Sequence, residues 1–149
     1  MEAGYQKYRE YWPPYPYPYP SPDFPTGKFR ADLYQGENLE YYLGSFEESI
    51  INHYWEYGGP QDFPNLVDHF SIRWQGRFWF SPDWYRFTTV SDDGVRLFVD
   101  ERRVIDDWDY DSTRTNYSSP IYLDGYHLLR LEYFEYVGRS RIQLSWREY

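Results

Sequence analysis

Cysteine is missing entirely from this chain of 149 residues. That excludes disulfides, thiol catalysis and zinc held by thiolates, and leaves the redox compartment open. Basic residues are the minority, 15 against 24 acidic, for a net charge of −9. A nucleic-acid binder needs a basic face to displace counterions from phosphates, so nucleic acid is not an expected partner. The same balance argues against docking on anionic lipid by charge. No run approaches the ~18 uninterrupted apolar residues of a transmembrane helix, so no membrane span is expected. The opening Met-Glu-Ala-Gly-Tyr-Gln-Lys has no apolar h-region, so no secretory signal is visible in this numbering. Histidine is scarce and dispersed, at His53, His69 and His127, with no zinc-site spacing. Solvated or hydrogen-bonded structural roles are expected for all three. Helical periodicity is nearly absent, and one turn over Glu47–His53 is the most the pattern supports. With no second core's worth of sequence, a single domain is expected.

Aromatic residues are what the chain has in excess: 24%, with 19 Tyr, 7 Trp and 10 Phe. Their large, stiff rings suit a β core, sugar faces or protein interfaces. Residues 1–26 form a separate Tyr/Pro-rich arm containing Tyr11-Trp12-Pro13-Pro14 and the alternating run Tyr15-Pro16-Tyr17-Pro18-Tyr19-Pro20. Proline at every second position excludes helix and leaves polyproline II or an edge strand. The first scatters Tyr15, Tyr17 and Tyr19 in three directions, while the second puts them on one face. Composition alone fits a solvated linker. As an assembly arm, Trp12, Tyr15, Tyr17 and Tyr19 would contact other subunits of the same protein or the domain's own surface.

From residue 27 to 149 the chain reads as strands. Phe70, Ile72 and Trp74 alternate with His69, Ser71, Arg73 and Gln75, and Val95, Leu97 and Val99 with Arg96, Phe98 and Asp100. Leu129, Leu131 and Tyr133 alternate in the same way, as do Ile142, Leu144 and Trp146. Period-two runs with one polar face describe antiparallel sheets covered on one side. Ser81-Pro82-Asp83 is expected to break one run. Asp93-Gly94 and Asp124-Gly125 read as hairpin dipeptides, and Asp100–Arg103 as a short exposed turn. Short strands at roughly ten-residue spacing predict an all-β fold, a two-sheet antiparallel β-sandwich.

The adjacent pair Asp92–Asp93 stands out chemically. Calcium takes six to eight oxygen ligands, so neighbouring loop carboxylates suit it, and a divalent cation relieves their repulsion. The alternative is a plain turn cap. A second acidic cluster, Asp106, Asp107, Asp109 and Asp111, surrounds Trp108. It reads either as a second cation site or as the rim of a sugar pocket with Trp108 as platform, against a core role for Trp108. No pair of carboxylates is spaced as the acid and base of a glycoside hydrolase, about 5–10 Å apart across a cleft, so an enzyme is not expected.

The ordered block Phe70-Ser71-Ile72-Arg73-Trp74-Gln75-Gly76, Tyr85-Arg86-Phe87, Ser91-Asp92-Asp93-Gly94-Val95-Arg96-Leu97-Phe98-Val99-Asp100 and Val104-Ile105-Asp106-Asp107-Trp108 resembles the PA-fourteen domain. Leu123-Asp124-Gly125-Tyr126-His127, Leu131–Glu135 and Leu144-Ser145-Trp146 continue the resemblance, which runs from about Phe29 to Trp146. It implies a two-sheet sandwich of adhesins, toxins and carbohydrate-active proteins. It also implies a cis-linked Asp92–Asp93 pair that holds calcium and, through it, sugar hydroxyls. Glu135 would complete the metal shell, and Tyr136, Gly138 and Arg139 of the second loop, with Trp108, would line the sugar. Trp84 stands where the family commonly has glycine.

Two functions follow. One is an extracellular or cell- or spore-surface structural protein that assembles through its arm into a filament or coat. The other is a calcium-dependent lectin or adhesin module whose partners are glycans.

Overall fold

The structure is a computed structural model describing residues 23–149, all of it β-structure and loops. The arm residues Trp12, Tyr15, Tyr17 and Tyr19 lie outside the described residues. Nine strands form: β1 (Phe29–Gln35), β2 (Tyr41–Glu48), β3 (Asn52–Glu56), β4 (Phe70–Asp92), β5 (Gly94–Val99), β6 (Arg102–Asp107), β7 (Arg114–Tyr117), β8 (Ile121–Glu135) and β9 (Ser140–Glu148). All pairings between them are antiparallel.

One layer runs β2-β1-β4-β8-β5-β6, and the other runs β3-β9-β4-β7. β4 belongs to both. Up to Phe80 it pairs with β1 and β8, and from Tyr85 to Asp92 with β9. The expected break at Ser81-Pro82-Asp83 is therefore a bend within one strand of 23 residues. Pro82 is tolerated because the ladder skips from Phe80↔Gly125 to Asp83↔Leu123, leaving it unpaired. Asp124-Gly125 lies inside β8 opposite this bend, with Gly125 at φ 89°, and is not a hairpin turn. The helical turn over Glu47–His53 does not form either. β2 continues through Glu48 and β3 starts at Asn52, because each gains a ladder partner, β1 and β9 respectively.

The alternating residues fill the space between the layers. Phe70, Ile72, Trp74, Val95, Leu97, Leu129, Leu131, Tyr133, Phe87 and Ile142 are fully buried. Contacts across the gap are ring against ring, Trp55 with Phe70 at 6.2 Å and Phe78 with Trp146 at 5.5 Å. A buried aromatic ring removes roughly 150–250 Å² from water, a gross gain of about 5 kcal/mol before ordering entropy. His53 lies flat between Trp55 and Trp74, and Glu48 accepts hydrogen bonds from Trp74 Nε1 at 2.7 Å and His53 at 2.8 Å.

The outer face of the six-stranded layer carries a charge ladder. Register aligns Ser45, Asp32, Arg73, Glu132, Arg96 and Asp106 across successive strands. Buried Glu132 bridges Arg73 at 2.9 Å and Arg96 at 2.8 Å. Removing it strands two half-buried guanidinium groups. Glu132→Ala is expected to cost about 3 kcal/mol in urea unfolding. Glu132→Gln, which keeps hydrogen-bond acceptance, should cost less.

Candidate functional site

The site forms where the chain leaves one layer for the other. Asp92 ends β4 opposite Arg141 of β9, and Gly94 starts β5 opposite Phe134 of β8. The two aspartates thus span the gap between sheets, and Asp93-Gly94 connects strands that do not pair with each other, so it is not a hairpin. The Asp92–Asp93 peptide bond is cis. Gly94 is required because any side chain there would run into the Phe134 ring. The corner is hydrogen-bonded throughout. Ser91 Oγ donates to Asp93 O at 2.9 Å, Asp93 N to Phe134 O at 3.2 Å, and Tyr133 Oη to Asp92 O at 2.6 Å.

Glu135, at the end of β8, brings a third carboxylate under this corner. One oxygen from each of Asp92, Asp93 and Glu135 lies within 4.8 Å of the others. Asp93 and Glu135 are buried and Asp92 half-buried. Asp93 is held at both oxygens, its Oδ1 accepting from the Asp111 amide at 2.9 Å and its Oδ2 from the Tyr136 amide at 2.8 Å, which leaves a lone pair on each. Among the described residues, Asp92 Oδ2 receives Thr113 Oγ1 at 3.5 Å. Glu135 Oε1 has the Tyr133 hydroxyl at 3.4 Å, and its buried Oε2 has no donor.

Burial first, and then the Asp93 charge, push the Asp92 carboxyl up to about 6. Glu135 is pushed up to about 10 by burial and by Asp93, Asp92 and Asp68 in turn. Like charges and missing donors both disfavour ionisation. A cation in the centre reverses both. Three hard oxygen donors, one with an unpartnered buried oxygen, fit calcium better than a softer transition metal.

The flanking loops are fastened to this corner. Tyr136 N sits on Asp93, Tyr136 O accepts from His69 N at 3.0 Å, and Gly138 N donates to Asp68 Oδ1 at 3.1 Å. Gly138 has φ 96°, a left-handed turn that suits glycine. Arg139 turns toward Tyr57, its Nε 3.3 Å from the hydroxyl. Trp108 is half-buried, with its edge on Phe134 at 4.7 Å, the Arg96 guanidinium 3.7 Å from its ring centroid, and its Nε1 donating to Asn38 Oδ1 at 3.3 Å. With its ring face, edge and donor all engaged, it is poorly placed as a sugar platform.

The second acidic cluster gathers around a guanidinium. Arg114 bonds Asp107 at 2.7 Å and Asp111 at 2.8 Å and donates to the Asp109 carbonyl, so a guanidinium stands where an ion would. Asp111, held by the Ser112 amide and Arg114, lies below the usual carboxylate range. The three histidines each have a carboxylate partner: Glu48 for His53, Glu37 for His69 and Asp100 for His127. Sequence reasoning missed Asp68, Tyr110, Tyr133 and Glu37. Tyr110 was visible in the acidic cluster, but only as a neighbour of Trp108. Nothing local in the sequence marks the others.

A two-layer antiparallel sandwich with a carboxylate corner between its sheets defines the class of β-domain to which this chain belongs. The chain belongs to the PA14 domain family, whose sequence pattern matches residues 27–149. It is 32% identical over 122 residues to the anti-sigma-I factor RsgI3 of Acetivibrio thermocellus, covering 78% of this chain and 18% of that protein. The structure of an anti-sigma factor domain-containing protein superposes with a TM-score of 0.74 at 29% identity, covering 80% of this chain and 42% of that one. The chain thus spans less than half the length of either relative. The PA14 sugar-binding domain from an RTX adhesin has the same fold, with a TM-score of 0.69 at 16% identity over 83% of this chain and 90% of that domain. Among the described residues no helix is long and apolar enough to cross a membrane.

The raised carboxyl groups set a pH dependence for the metal-free domain. A carboxyl whose folded value lies above its unfolded one favours folding while protonated. That contribution is complete below about pH 4 and is lost as pH rises, through about 6 for Asp92 and about 10 for Glu135. The melting temperature in chelator should therefore fall between about pH 5 and pH 8, and Glu135→Gln should flatten that fall.

Proposed function

We propose that the domain is a calcium-dependent carbohydrate-binding module, with Asp92, Asp93 and Glu135 holding the ion. The observation that carries this reading is the unpartnered, fully buried Glu135 Oε2 beside two further carboxylates. Water-accessible acidic turns are common, but a buried carboxylate without a donor is costly and calls for a cationic partner. Bound there, calcium would offset two of the trio's three negative charges and offer open coordination positions to sugar hydroxyls. The protein's own part is to fix the ligands. Tyr133 anchors the Asp92 carbonyl, while the Asp111 and Tyr136 amides lock Asp93 and tie both neighbouring loops to the ion.

The sugar-binding description of the adhesin domain of the same fold supports the carbohydrate part of this reading. The RsgI3 likeness supports a use as one part of a longer regulatory protein, since that relative is an anti-sigma-I factor of which the match covers 18%. A binding role is favoured over the filament or coat role because the carboxylate trio lies in the described domain, whereas the assembly arm precedes it.

Calorimetric titration of the chelator-treated protein with calcium chloride should give saturable heat with one site. Asp93→Ala and Glu135→Gln should abolish that heat or weaken it by at least roughly a hundredfold, the loss of one charged ligand. Because calcium competes with protons at Asp92 and Glu135, affinity should rise with pH through about 6. Retention on an immobilised glycan panel should disappear in chelator. No calcium heat in the parent protein would end this proposal.

A further inference from the structure

We infer that Tyr110 and Tyr136 form the sugar-stacking wall of the carboxylate site, with Glu37 and His69 positioning it, and that the wall selects pyranoses offering an unbroken face of C–H bonds. This rests on the calcium-dependent reading above and adds to it the residues that would choose the sugar.

The chain arranges both rings around one carboxylate. The amide that bonds Asp93 Oδ1 belongs to Asp111, directly after Tyr110, and the amide that bonds Asp93 Oδ2 belongs to Tyr136 itself. Locking Asp93 therefore brings the two rings together, 4.6 Å apart between centroids and tilted by 48°. Both remain open to solvent, Tyr110 at 63% and Tyr136 at 40% of full exposure. Exposed tyrosines normally move between rotamers, but these two are buttressed from behind. The buried Phe134 ring meets Tyr110 edge-on at 5.6 Å, and His69 meets Tyr136 edge-on at 5.1 Å.

Glu37 joins the supports. Its carboxylate contacts His69 Nδ1 at 2.6 Å and is the main influence raising the Tyr110 phenol above its ordinary range, so it faces that hydroxyl. The turn carrying Glu37 is itself fastened to β4. Gly36 N donates to His69 O at 2.7 Å, and Ser71 Oγ links the Leu39 amide to the Gly36 carbonyl. An exposed ring pair held rigid beside an ion site gives up little conformational entropy when a ligand covers it. Apolar ring faces attract the C–H face of a sugar, while the ion takes its hydroxyls. Trp108 is the competing platform, but the guanidinium of Arg96 already lies over its ring.

Saturation-transfer NMR on the calcium-loaded full chain tests this, with methyl β-glucopyranoside, methyl β-galactopyranoside and methyl α-mannopyranoside as probes. At least one should receive saturation mainly on the protons of one ring face. Tyr110→Ala should weaken that glycoside roughly tenfold and erase the face-selective pattern while calcium heat is retained. Tyr110→Phe keeps the ring and loses the hydroxyl that Glu37 faces, so it should keep the face-selective pattern and lower affinity about as little as Glu37→Gln does. Glu37→Gln should lower affinity less than Tyr110→Ala does. Calcium-dependent binding that Tyr110→Ala leaves intact would overturn the wall and spare the cation site. Absence of calcium heat in the parent would remove the site and the wall together. Calcium uptake without saturation transfer to any of the three would overturn the wall.

Discussion

A carboxylate buried without a hydrogen-bond donor among the described residues constrains the corner where the two layers of this domain meet. Glu135 Oε2 has no hydrogen-bond partner, and Asp92 and Asp93 crowd the same space. A polypeptide folding for stability alone would place a hydrophobic side chain or an arginine there. The neighbouring acidic cluster shows the second solution, with Arg114 bonded to Asp107 and Asp111. On the outer face of the six-stranded layer, Glu132 is likewise satisfied by Arg73 and Arg96. The chain thus pairs buried Glu132, half-buried Asp107 and exposed Asp111 with guanidinium groups, while buried Glu135 has no guanidinium partner among the described residues. On the proposed reading, a removable cation supplies the missing positive charge.

Topology places the trio. β4 runs through both layers, so its two ends, Phe70 and Asp92, return to the same end of the sandwich after the bend at Ser81-Pro82-Asp83. Phe70 pairs with Glu135, and Asp92 lies one residue from the turn into β5. The carboxylates of β4 and β8 meet because the bend folds β4 back. The loops after β1, β6 and β8 gather at this end and supply Glu37, Tyr110 and Tyr136, with Asp68 and His69 arriving just before β4. Core packing and site geometry therefore share one origin: the strand that closes the sandwich ends in Asp92 and pairs at its start with Glu135.

Much of the fold was legible in the sequence because half-buried strands impose period two on their side chains. Phe70-Ile72-Trp74, Val95-Leu97-Val99 and Leu129-Leu131-Tyr133 all face the core as the alternation requires. Local turn chemistry was less informative. Pro82 and Gly125 look like strand ends, yet Gly125 pairs with Phe80 and Pro82 falls where the ladder skips, so neither interrupts its strand. Asp93-Gly94 looks like a hairpin but links strands of different layers. At the site, adjacency made Asp92–Asp93 visible, and the family resemblance added Glu135. Asp68, Glu37 and Tyr110 approach the corner from distant loops, and no spacing along the chain encodes that proximity. Trp108 drew attention as the larger ring, but Arg96, twelve positions away in β5, covers it.

The central claim is that the trio exists to hold a cation. Its most direct test is crystallographic: calcium-soaked crystals of the full chain, measured at a wavelength where calcium scatters anomalously. The account predicts one anomalous peak bounded by the carboxylates of Asp92, Asp93 and Glu135, with Glu135 Oε2 directed at it. A corner without a peak, in which Glu135 is neutral and hydrogen-bonded to water or to Asp92, would contradict it.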